Sequence, residues 1–139
     1  MRMTLVALVA ILMLAGCGNV AKPTPAFARY TAAQVIAALT PQGIADVRDG
    51  QRGPNEPWPN VQATWQVFSY GGISVDKRGG QVLTYATAAD LAAMDAYLDA
   101  LPANLNTYRY QHGNALLYLS FQVSRGDAER LRQAFEALP

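Results

Sequence analysis

The chain has 139 residues, with 11 Lys plus Arg, 10 Asp plus Glu and one His, for a formal charge of +1. That length holds one domain with a real core and is short for two, and near-neutrality argues against nucleic acid, whose binding rests on clustered positive charge. One cysteine excludes an internal disulfide framework and a Cys-built metal site, and one histidine leaves no paired-His zinc motif.

At the N-terminus, Arg2 precedes an uninterrupted apolar run from Leu5 to Leu14, followed by the small residues Ala15 and Gly16. This is the three-part layout of a secretory signal, and its apolar core is shorter than the about 20 residues of a membrane span. Leu14-Ala15-Gly16-Cys17 resembles the lipobox of bacterial lipoproteins. The resemblance implies cleavage before Cys17, diacylglycerol on its sulfur and an acylated new amino group. More than one acyl chain is what stable anchoring requires. Gly18, rather than Asp, follows the cysteine, so the resemblance permits the outer membrane as well as the cell membrane. An ordinary secretory signal with a chance cysteine is the alternative. Residues 1–16 are thus the expected signal peptide, and 17–28 a lipidated Cys with a tether centred on Lys22-Pro23-Thr24-Pro25. That tether reaches at most about 35 Å when extended, and residues 29–139 form the single domain. Loss of Arg2 would leave equal numbers of basic and acidic residues, which disfavours polybasic attraction to a membrane surface.

Three stretches carry the same helix-start signal: Thr31-Ala32-Ala33-Gln34, Thr87-Ala88-Ala89-Asp90 and Ser124-Arg125-Gly126-Asp127. In each, a hydroxyl caps the first turn and an acceptor three residues on reaches back, with a cap worth on the order of 1 kcal/mol. The first predicted helix runs from Thr31 to about Leu39 on Val35, Ile36 and Leu39. The second aligns Leu91, Met94, Leu98 and Leu101 and stops at Pro102; the third sets Leu131, Ala134, Phe135 and Leu138 against Arg130, Arg132 and Glu136.

Strand patterns fall at Ile44 to Val47, Gln62 to Tyr70, Ile73 to Val75 and Gln81 to Ala86. The clearest hairpin turns at Gly113-Asn114, pairing Tyr110 with Leu117 and Tyr108 with Leu119. It puts Tyr108, Tyr110, Leu117, Leu119, Phe121 and Val123 on an oily face and Arg109, Gln111, Tyr118, Ser120 and Gln122 on a mostly polar one. The expected fold is therefore α+β: an antiparallel sheet of about five strands with three helices packed mainly on one face and solvent on the other.

The loop Arg52 to Asn60, "RGPNEPWPN", is stiffened by Pro54, Pro57 and Pro59 around Glu56 and Trp58. A rigid exposed Trp is a natural binding anchor; the same residue can instead fold back and plug the end of the sheet. Arg109 and Tyr118 face each other on the polar side of the hairpin. Glu56, Trp58, Arg109 and Tyr118 are therefore the candidate partner-binding residues. His112, beside the turn, would need a carboxylate such as Glu56 or Asp76 to act as a general base, and no GxSxG or assignable Ser, His, Asp spacing occurs. A structural role at the turn is the simpler reading. Lys77-Arg78 sits in a Gly-rich turn without the following helix of a phosphate loop.

From about Val82 to Leu138 the chain resembles the C-terminal half of small bacterial lipoproteins of uncharacterised function. The segments are "VLTYATAADLAAMDAYL", a "YRYQHGNALLYLS" hairpin and "AERLRQAFEAL". That resemblance implies the order of elements and brings no activity with it. The expected function is a membrane-anchored extracytoplasmic module that binds an unidentified protein or envelope component without catalysis, cofactor, metal or nucleic acid. A small envelope hydrolase, or a carrier holding a hydrophobic ligand between helices and sheet, stands as the alternative.

Overall fold

All three hydroxyl caps form. Thr31 accepts from the Gln34 amide at 3.2 Å, and the Gln34 side chain accepts from the Thr31 amide at 2.9 Å, starting α1 (Ala32–Leu39). Thr87 starts α2 (Ala88–Asp99) and Ser124 starts α3 (Arg125–Glu136), accepting from the Asp90 and Asp127 amides at 3.1 and 3.2 Å. In these two the shorter Asp accepts from the capping hydroxyl, at 2.8 Å each. The computed structural model containing them describes residues 27, 30–52, 58–75, 79–102 and 108–139. Cys17, Glu56, Asp76, Lys77 and Arg78 lie outside the described residues.

The strands are β1 (Ile44–Asp49), β2 (Ala63–Tyr70), β3 (Gly80–Tyr85), β4 (Tyr108–His112) and β5 (Ala115–Leu119). They form one sheet in the order β1-β2-β3-β5-β4, every neighbouring pair antiparallel. Ile73 adds only an isolated bridge to Tyr70 across the left-handed Gly71-Gly72 turn. The hairpin register is the expected one, with Tyr110 opposite Leu117 and Tyr108 opposite Leu119. Gly113 takes φ 54°, open to glycine at little cost, at the first turn position.

α1 and α3 pack on one face. Val35, Leu39, Phe68, Leu117, Leu131 and Phe135 are completely buried between them and the sheet. Gly80 lets the Phe68 ring lie against the backbone: a Cβ there would stand 2.2 Å from the ring.

α2, by contrast, lies on the opposite face, so solvent does not bathe that side of the central strands. Leu91, Met94 and Leu98 of α2 form a second core with Trp65, Val67, Leu83, Tyr85 and Leu116. The physical reason is in β3 and β5. Both are central strands with apolar side chains on both faces, and every residue of β3 is buried. A second correction concerns the end of the hairpin. β5 stops at Leu119, because its partner β3 begins at Gly80, and the chain turns through Ser120 to Val123. Val123 is buried with the first core, but Phe121 is 71% exposed rather than on the oily face.

Candidate functional site

Strand alternation sends Tyr108, Tyr110 and His112 to the α3 side of β4 and Arg109 and Gln111 to the α2 side. On the α2 side, the Arg109 guanidinium pairs with Asp95 at 3.3 Å and with Asp99. Its Nη1, like the Tyr85 hydroxyl, is buried without a hydrogen-bond partner among the described residues. Burial first, then the Asp95 and Asp90 carboxylates, push the Tyr85 phenol far above its ordinary range. Tyr118 lies opposite Arg109 and is half-buried against the second core. Trp58 packs there too, its ring 4.7 Å from that of Trp65. Of the predicted binding residues, Trp58 thus packs into the end of the second core and Arg109 is tied to α2, while Glu56 falls outside the described residues.

His112 is likewise engaged. Its Nε2 lies 3.1 Å from the Tyr30 hydroxyl and 2.9 Å from the Leu138 carbonyl. Its ring stacks on Tyr30 at 5.3 Å and meets Phe135 edge-on at 5.9 Å. These contacts hold the segment before α1 and the segment after α3 to the hairpin, the structural role expected of a residue flanking the turn.

The α3 side of β4 is different. Arg125, Glu129, Arg132 and Glu136 recur at spacings of four, three and four, which puts them on one flank of α3. Arg132 reaches Glu129 at 2.6 Å and Glu136 at 2.5 Å. Hydrogen bonds from Arg132 and Gln133 hold the Glu129 carboxyl down to about 2, and the hydrogen bonds that Arg132 donates to Glu129 and Glu136 push its guanidinium further up. Arg130 points the other way, donating to the Tyr70 hydroxyl at 2.8 Å. Between the charged flank and β4 runs a groove of about 880 Å³ lined by Tyr108, Tyr110, Arg125, Gly126, Glu129 and Arg132. Burial, and then Glu129, push the Tyr110 phenol up. A second groove, of about 430 Å³, opens at the start of α1 beside Thr64, Gln66 and Thr84, and among the described residues no charged side chain lines it.

β4 is also an edge of the sheet. The other edge, β1, is interrupted by a bulge between Ala45 and Arg48, where Asp46 sits at φ 47° and its carboxylate accepts from Ser69 at 2.9 Å. A bulge of that kind blunts an edge against further pairing. β4 pairs with β5 in unbroken register, so its outer edge remains a regular template. The sequence places Tyr108 and Tyr110 on the oily face of the hairpin and Arg125 within a helix-start signal, without marking any of them as a binding residue. The available signal was local: a cation at the first helical position, where the helix dipole disfavours it.

Among the described residues no group of three or more His, Cys, Asp or Glu could hold a metal ion, and no helix is long and apolar enough to cross a membrane. No family model matches the chain, and no curated protein or solved structure matches it either.

Proposed function

We propose that this protein is an extracytoplasmic lipoprotein, anchored through Cys17 to the cell membrane or outer membrane, whose domain is a non-enzymatic binding module. Its interaction surface is the outer edge of β4 with the facing flank of α3. The observation that carries this reading is the regular edge strand beside an open groove lined by two tyrosines and two arginines. An edge offers backbone hydrogen bonds to an added strand, and the groove offers places for that strand's side chains. Tyrosine and arginine are the residue types that most often anchor such contacts. The lipobox resemblance at Leu14 to Cys17 supports the anchor, and the Pro-rich segment after it keeps the module near the lipid.

Two readouts on the full chain taken from membranes test this. Intact mass should begin at Cys17 and carry a diacylglyceryl group and an acyl group. Solubilised in mild detergent, the chain should migrate in an assembly heavier than one copy. A chain that begins elsewhere without lipid defeats the anchor, and one that always migrates alone defeats the binding module.

A further inference from the structure

The charge pattern of α3 narrows what can fill the groove. The flank reads Arg125, Glu129, Arg132, Glu136, which is plus, minus, plus, minus. Residues 125 and 136 share their midpoint with residues 129 and 132, and reversing the series inverts every sign. A flank of this kind is complementary to an antiparallel copy of itself: Arg125 meets Glu136 of the second copy, Glu129 meets its Arg132, and each contact occurs twice. Self-complementarity of one patch is what a twofold, isologous interface requires.

β4 is placed to share that axis. It runs alongside α3 in the same direction, since Tyr108 lines the groove with Arg125 and His112 lies against Phe135. The centre of β4 is Tyr110, which lines the groove with Glu129 and Arg132, the centre of the flank. From Tyr108 to His112 the strand spans about 13 Å, and from Arg125 to Glu136 the helix spans about 16 Å, so both elements can be bisected together. α3 packs over β4 and β5. With strands about 4.8 Å apart, pairing β4 with a second β4 would bring the two α3 axes to about 10 Å, within side-chain reach.

We propose that this surface is a homodimer interface, in which two β4 strands pair antiparallel about a twofold axis at Tyr110 and the two α3 flanks cross-pair Arg125 with Glu136 and Glu129 with Arg132. The result is one continuous ten-stranded sheet, twice the five strands of a single copy. The proposal rests on the reading that the β4 edge and α3 flank are the interaction surface. It also accounts for two charges that break a local rule: Arg125 opens α3 and Glu136 closes it, each at the end where the helix dipole disfavours its sign. Among the described residues Arg125 has no ion-pair partner within its own chain.

The test is sedimentation equilibrium of the full chain in density-matched detergent. The native chain should be a dimer. R125E and E136R should each weaken dimerisation at least tenfold by placing like charges opposite each other. The double variant R125E/E136R should regain it, and an equimolar mixture of the two single variants should form a mixed dimer. Misfolding is separable from this: each reversal places at its helix end the sign the dipole favours, which offsets the loss of the exposed Arg132–Glu136 pair in E136R and the like-charged neighbour Glu129 in R125E. Thermal melts of the single variants should therefore show an intact fold. A native chain that stays monomeric, or a dimer indifferent to both reversals, overturns the proposal. An assembly containing a different protein also overturns it while leaving the interaction surface standing; a chain that associates with nothing counts against both.

Discussion

Replacing Asn114 with Ala should lower the free energy of unfolding by about 3 kcal/mol, read by urea denaturation at neutral pH. Asn114 is 3% exposed and acts as a clasp between three parts of the chain. Its Oδ1 accepts from the Tyr30 amide, and its Nδ2 donates to the carbonyls of Tyr30 and Tyr85, both at 3.0 Å. Its own carbonyl accepts from the Tyr85 amide at 2.9 Å, a contact that alanine preserves. The variant therefore loses the side-chain bonds and leaves their partners unsatisfied where water has little access, which is the costly half of removing a buried hydrogen bond. Because Asn114 follows a turn glycine that supplies the positive φ, alanine introduces no backbone strain of its own. A loss well under 1 kcal/mol would show that water replaces the amide and that the clasp is not structural.

Trp58 to Ala should cost about 2 kcal/mol, from lost apolar burial and a lost aromatic pair. Its indole is half-buried against Trp65, whose Nε1 donates to the Gln81 Oε1 at 2.9 Å. Trp65 in turn lies against Gly50: a Cβ at that glycine would stand 2.2 Å from the indole. Trp58 thus closes the end of the second core from the loop side. A lower midpoint in thermal or urea unfolding, with dimerisation in the folded range unchanged, is the expected result. Unchanged stability with lost association would return Trp58 to the role of a binding anchor.

What could be read from the sequence was what is decided locally. The helix starts at Thr31, Thr87 and Ser124 each depend on a hydroxyl and an acceptor three residues apart, and all three caps formed. The Gly113-Asn114 hairpin and its register follow from a turn glycine and a period of two. The α+β architecture, with five antiparallel strands and three helices, followed from these parts. The face chosen by α2 did not. Its stripe of Leu91, Met94 and Leu98 fits an apolar surface on either side of the sheet, and the choice is made by Trp65, Leu83, Tyr85 and Leu116, which only the pairing of three strands brings together. The polar hairpin face misled because Arg109 and Tyr118 lie at its rim, where α2 supplies Asp95 and Asp99 to the guanidinium. The groove was legible only in pieces. The alternating charges of α3 and the tyrosines of β4 are visible separately, and only packing puts them on opposite walls of one cleft.

On the proposal made above, the outer edge of β4 is where this protein meets its partner, and the partner is its own copy. The most direct measurement is photo-crosslinking in intact cells, with a photoreactive amino acid replacing Gln111 on the edge strand or, as control, Ala92 on the exposed side of α2. An adduct of twice the chain mass is expected from position 111 and none from position 92. Adducts from position 92 alone, or from neither position, would contradict it.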